Sequence, residues 1–106
     1  HEVIGLDNIN DYYDINLKND RLKILKDYEQ FVFYKNNLED NEAVQRLFQK
    51  EAPQRVIHLA AQAGVRYSIQ HPEIYVQSNI IGTFNILEGC RHTAVVECNY
   101  TGQFAV

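Results

Sequence analysis

The stretch Arg55-Val56-Ile57-His58-Leu59-Ala60-Ala61-Gln62-Ala63-Gly64 decides the fold. Arg55 to Leu59 is a short, largely apolar run of the kind found in a strand covered on both faces. It passes directly into small side chains, and Pro53 just before it stops any preceding helix. Small side chains at a strand's carboxyl end let a ligand approach the backbone, at the place where open α/β sheets bind ligands. Tight strand–helix packing asks for the same composition, so composition alone leaves both readings open.

Upstream of this strand, Asp40 is placed to N-cap a helix through Ala43, Val44, Leu47 and Phe48. Before that helix, Phe31-Val32-Phe33-Tyr34 is rich in aromatic and β-branched residues and reads as a strand. Ile15, Leu17, Leu22, Ile24 and Leu25 recur among basic residues and predict a helix over 14–27. The chain opens on Glu2-Val3-Ile4-Gly5-Leu6-Asp7, a strand ending in an acid, followed by the polar loop Asn8-Ile9-Asn10-Asp11. Downstream, Pro72 sits where a first-turn proline is tolerated, and a helix over 72–92 would align Val76, Ile80, Phe84, Leu87 and Cys90. Gly82 inside that helix points to a close approach of backbone or ligand. Ala94-Val95-Val96-Glu97-Cys98 reads as a fourth strand. Strands alternating with helices at these lengths imply βαβ units and a parallel sheet, hence an α/β domain.

The 106 residues carry a formal charge of −4, with 45% apolar and 23% charged residues. That is the composition of a globular domain with one core. Net acidity argues against a nucleic-acid partner. No apolar run reaches the roughly 18 residues of a membrane helix, and the opening residues do not read as a charged-then-apolar leader, so neither feature is expected of this stretch. Cys90 and Cys98 lack metal-ligand spacing, and His1, His58, His71 and His92 are scattered, so no metal site is expected. His58 within a strand reads as a hydrogen-bonded core histidine. Asn99-Tyr100-Thr101 fits the glycosylation pattern by chance. The absence of methionine suggests a segment of a longer protein.

Asp7 is the most informative single residue. An acid after the second strand of a dinucleotide-binding fold accepts two ribose hydroxyl protons at once. Asn8 beside it offers no cation for a 2′-phosphate, which favours NAD over NADP. An acid in this place can also simply cap a surface loop. Asn79, inside the long helix, can bond a ligand or a backbone carbonyl, although a solvated helix asparagine is the commoner case.

Taken together, Asp7-Asn8-Ile9-Asn10-Asp11-Tyr12-Tyr13-Asp14, Leu17-Lys18 and Arg21-Leu22 resemble the segment after the second strand of NAD-dependent nucleotide-sugar epimerases. His58 through Ser68 resembles the UDP-glucuronate 4-epimerase branch, and Pro72, Tyr75, Ser78-Asn79-Ile80, Gly82-Thr83 and Leu87 through His92 continue the likeness. These enzymes belong to the extended short-chain dehydrogenase/reductase superfamily. The likeness covers about residues 2–92 and leaves 93–106 unmatched, with only Tyr100 and Val106 in plausible register. It implies an incomplete NAD-binding domain: a partial Rossmann-like, doubly wound parallel sheet lacking the first strand and the glycine-rich loop.

The resemblance implies the following roles. Asp7 and Asn8 hold the adenosine ribose, with Asn10 and Lys18 close by, and Asn37 and Leu38 flank the adenine. Leu59, Ala60, Ala61 and Ala63 line the pyrophosphate and nicotinamide-ribose path, and Asn79 reaches the strand-end loop. Arg66 is a candidate beside the nucleotide sugar; a surface ion pair is the equal alternative. Asn37 stands where the family usually has aspartate, and the catalytic tyrosine and lysine would lie beyond residue 106. The expected activity is therefore that of the cofactor side of a nucleotide-sugar 4-epimerase, inactive as this segment. A cytoplasmic location and a homodimer of the longer protein are expected. A sugar-nucleotide dehydratase or decarboxylase is the near competitor, and a non-catalytic remnant or interaction module is the reading from another class.

Overall fold

The computed structural model describes residues 1–100; the tail 101–106, with Val106 and its expected register, lies outside the described residues. The chain divides into two compact units, His1–Asn36 and Asn37–Val106.

In the first unit, β1 (Val3–Asp7) and β2 (Phe31–Lys35) pair in parallel, from Val3 opposite Phe31 to Asp7 opposite Lys35. The connection is α1 (Ile15–Lys26). Asp14 caps its start by accepting from the Asn16 N–H at 2.8 Å, and Lys23 and Lys26 in the last turn complement the helix dipole. The expected helix is present, but it buries none of its residues. At 100° per residue, Ile15, Leu22 and Leu25 fall on one side of the helix and Leu17 and Ile24 on the opposite side. The five apolar positions therefore form no single stripe, and all but Leu22 are exposed.

In the second unit, α2 (Asn41–Glu51) starts at Asp40, whose Oδ1 accepts from the Ala43 N–H at 3.1 Å. It stops at Ala52, which takes a left-handed backbone (φ 43°) immediately before Pro53. β3 (Arg55–His58) follows and pairs in parallel with β4 (Glu97–Tyr100). β4 begins three residues later than the sequence suggested. Val95 turns into the core and the Val96 N–H donates to the Gln54 carbonyl at 2.7 Å, so the ladder itself starts at Arg55 opposite Glu97.

The core of this unit is Val44, Phe48 and Ile86, with Leu38, Leu47, Val56, Cys90, Val95 and Cys98 packed against it. Val44 and Phe48 lie one turn apart on α2 and meet α5 (Gly82–His92). Gly89 permits that approach, since a Cβ there would lie 2.6 Å from Phe48 Cε2 and 2.7 Å from its Cγ. Gly82 is equally crowded, with Leu38 Cβ at 2.7 Å from where its own Cβ would stand.

The expected single helix over 72–92 is a composite. A short helix, α3 (Val65–Gln70), absent from the sequence reading, precedes it, with Gly64 at φ 107° before its first turn. Then come α4 (Pro72–Tyr75), a π-helical turn (Val76–Ile81) and α5. The face expected to align Val76, Ile80, Phe84, Leu87 and Cys90 is not the packed one, although Cys90 itself packs against the core. Val76, Ile80, Phe84 and Leu87 are exposed, while Tyr75, Asn79, Gly82, Thr83, Ile86 and Gly89 are buried. The buried face is the neighbouring one. Apart from the core residue Ile86, its residues are small enough for close packing or polar with partners at hand, so burying them is not penalised.

Among the described residues the strands form two parallel pairs, β1 with β2 and β3 with β4. Among the described residues no helix is long and apolar enough to cross a membrane.

Candidate functional site

Asp7 stands exposed at the carboxyl end of β1. Its Oδ1 accepts from the Ile9 N–H at 2.6 Å, which holds Ile9 at φ 51°, a left-handed conformation that β-branched residues rarely take. Asn8 Oδ1 accepts from the Asn10 N–H at 3.2 Å. Lys18, on α1, donates from Nζ to both the carbonyl and the Oδ1 of Asn10, each at 3.0 Å. The same Nζ stands 6.0 Å from the Tyr13 ring centre, and Tyr13 packs edge-on against Tyr12 at 4.8 Å. Asp7, Asn8, Asn10 and Lys18 are therefore gathered in one hydrogen-bonded loop. The loop-capping role of Asp7 is real, yet it uses one of the roughly four acceptor sites of an ionised carboxylate.

The second group lies after β3. Leu59 and Ala60 are exposed, Ala61 and Ala63 half-buried, and Gln62 buried between them. Two side chains from the following helical segment fix this loop. Asn79 is 3% exposed; its Oδ1 accepts from the Gln62 N–H at 2.7 Å and its Nδ2 donates to the Gln62 carbonyl at 3.0 Å. Tyr75 Oη donates to the Ala63 carbonyl at 2.9 Å and also to the Gly64 carbonyl. Asn79 is thus no solvated helix asparagine: it reaches the strand-end loop and commits both ends of its amide there.

The remaining polar residues of the buried face are also satisfied. His58 Nε2 and Thr83 Oγ1 are 2.8 Å apart, as a core histidine requires, and burial pushes the His58 pKa down. Asn85 Nδ2 donates to the Leu38 carbonyl at 2.7 Å, and Gln45 Nε2 donates to the Asn85 carbonyl at 2.9 Å. Leu38 itself packs against the core, while Asn37 is exposed with its carbonyl accepting the Asp40 N–H at 3.2 Å. Arg66 is exposed and makes no ion pair among the described residues.

Sequence reasoning missed the positioning work of Tyr75, Thr83 and Asn85. The available signal was the run of polar residues at helical spacing (Tyr75, Asn79, Thr83), which a solvated face would not distinguish. Chemically, the second group offers a rigid backbone edge beside small side chains, suited to holding a ligand.

Parallel strands linked by helices, with polar loops at their carboxyl ends, define a Rossmann-like α/β protein. The chain belongs to the GDP-mannose 4,6-dehydratase family, whose family model matches residues 1–102. It is 48% identical over 106 residues to Protein CapI of Staphylococcus aureus, covering 100% of this chain and 31% of that protein. It is 49% identical over 86 residues to the UDP-glucuronate 4-epimerase of Thermodesulfobacterium geofontis, covering 81% of this chain and 27% of the relative. Among solved structures it resembles the UDP-glucuronic acid 4-epimerase of Bacillus cereus in complex with NAD. That match has a TM-score of 0.76 at 26% identity, over 93% of this chain and 30% of that one. The chain thus spans about a third or less of the relatives it matches.

Proposed function

We propose that residues 1–106 form the NAD-binding side of a nucleotide-sugar 4-epimerase acting on UDP-glucuronate and UDP-galacturonate. The observation that carries the reading is the loop after β3, whose backbone is pinned by Asn79 and Tyr75 beside exposed Leu59 and Ala60. The residues fit a dinucleotide. Ala60, Ala61 and Ala63 carry nothing beyond Cβ to exclude a pyrophosphate, and Asp7 is an exposed acceptor at a strand end. In this reading Asp7 and Asn8 hold the adenosine ribose, and Asn10 and Lys18 keep that loop in shape. Asn37 and Leu38 flank the adenine, and Leu59, Ala60, Ala61 and Ala63 line the path to the nicotinamide. Asn79 acts through Gln62 rather than by a free amide of its own.

NAD, when bound, supplies hydride removal and return at the sugar C4. The protein's part here is orientation: the clamped loop fixes where the cofactor lies, so little ordering remains at the moment of reaction. Arg66, exposed and without an ion pair among the described residues, is a candidate for the anionic sugar nucleotide.

The choice of a 4-epimerase draws on the UDP-glucuronate 4-epimerase at 49% identity; the description of the family model supports a dehydratase as second reading. The test is to incubate the longest natural chain carrying residues 1–106 with UDP-glucuronate and follow products by chromatography. UDP-galacturonate is expected. In a parallel incubation with GDP-mannose, whose C6 hydroxyl can leave as water, a dehydrated 4-keto product would favour the second reading, and no turnover of either nucleotide sugar would overturn both.

A further inference from the structure

Cys90 and Cys98 take part in nothing described so far, and both thiols are free. Cys90 lies on α5, one turn beyond the core residue Ile86, and Cys98 lies on β4, opposite Val56 of β3. Cys90, Val56 and Cys98 all pack against the cluster of Val44, Phe48 and Ile86. A helix and a strand thus bring their sulfurs to one side of one core, where the two thiols meet in a hydrogen bond. Both residues are half-buried, which leaves the pair open to a small reagent.

The contact has a chemical consequence. Burial, then the hydrogen bond and charge of Cys98, hold the proton on Cys90 up to about 12. The pair therefore gives up its first proton at Cys98 and keeps the second on Cys90, a thiol facing a thiolate. We propose that Cys90 and Cys98 are a reversible dithiol–disulfide site, oxidised by a small-molecule disulfide such as glutathione disulfide. The Cys98 thiolate attacks one sulfur of the reagent, forming a mixed disulfide and releasing one thiolate. Capping removes the charge of Cys98 from beside Cys90, and the released thiolate takes the Cys90 proton. The Cys90 sulfur then attacks the Cys98 sulfur, the bond to the reagent breaks, and a second thiolate leaves and takes up the proton that Cys98 had lost. Two protein thiols are oxidised to one disulfide, and one small disulfide is reduced to two thiols. The new bond staples α5 to β4, the strand that pairs with β3. A bond made and reduced in this way is the kind that a reducing compartment tolerates.

The test uses the longest natural chain carrying residues 1–106, incubated with glutathione disulfide, blocked at its remaining thiols, and digested with trypsin without reduction. Trypsin cuts after Arg66 and Arg91, which puts Cys90 in the peptide 67–91 and Cys98 in the one beginning at His92. The proposal expects mass spectrometry to find these two peptides joined, lighter than their sum by a pair of hydrogens, and separated again by dithiothreitol. The ratio of joined to glutathione-capped peptide should be at least about 10-fold higher in native protein than in urea, because the fold holds the second sulfur in place. In Cys90→Ser the reaction should stop with glutathione on Cys98. Native wild-type protein that stays unreacted, or that carries glutathione without joining, overturns the proposal. An equal ratio in urea also overturns it, since spacing along the chain and not the fold would then bring the sulfurs together.

Discussion

Gly89→Ala is the sharpest test of the packing that carries the strand-end loop. In an ordinary helix interior this exchange stabilises by about 1 kcal/mol, because alanine has less backbone entropy to lose. Here the new Cβ would lie 2.6 Å from Phe48 Cε2 and 2.7 Å from Cγ. Carbon atoms in good contact stand about 3.5–4.0 Å apart, so the overlap is roughly an ångström against a ring. Phe48 is 3% exposed and shares its cluster with Val44 at 1%, so the ring has no space to swing into. Relief must come from separating α2 and α5, an overpacking penalty of about 1–3 kcal/mol or more. The net expectation is a loss of up to about 2 kcal/mol, measured by denaturant unfolding followed by circular dichroism. Phe48→Leu in the same background should recover part of it, since a branched aliphatic side chain can yield where a ring cannot. A Gly89→Ala protein more stable than wild type would refute the helix–helix contact.

Four further outcomes follow from the same structure. Tyr75→Phe removes only the hydroxyl that fixes the Ala63 and Gly64 carbonyls, so NAD affinity of the longer protein should fall several-fold while far-UV circular dichroism is unchanged; equal affinity would release Tyr75 from its positioning role. Asp7→Ala should cost NAD binding about 1.5–3 kcal/mol by calorimetry, the range for a charged hydrogen bond, and unchanged affinity would sink the ribose assignment. Burial lowers the His58 pKa, so the unfolded chain binds a proton that the folded ring refuses. Stability is then complete above the unfolded value of about 6.5 and declines as pH falls below it, and His58→Gln should flatten that part of the stability–pH curve. Burial, with Cys98 adding to it, pushes the Cys90 thiol up to about 12, so its alkylation at pH 8 should be at least about 100-fold slower in the native protein than in urea.

The strands and the helices of the first half were legible because each depends on local chemistry. Phe31 to Tyr34, the cap at Asp40 and the stop at Pro53 are decisions the chain makes within a few residues. The second half was less legible. A stripe of Val76, Ile80, Phe84 and Leu87 looks like a core face, yet the packed side is Tyr75, Asn79, Thr83, Ile86 and Gly89. Apolar character alone does not decide which face is covered. Partners do, and the buried polar residues here find theirs in backbone groups distant in sequence: Asn79 at Gln62, Asn85 at Leu38.

The same division holds for the site. Sequence by itself determined the residue types: an acid followed by a neutral amide at one strand end, small side chains at another, and the α/β class that puts both at carboxyl ends. Those follow from side-chain size, charge and backbone preference, which each residue carries with it. Only the tertiary structure decided that Asn79 spends its amide on the chain and that Tyr75 locks two carbonyls. Hydrogen-bond satisfaction belongs to pairs of groups far apart in the chain, so it exists only once the chain has brought them together.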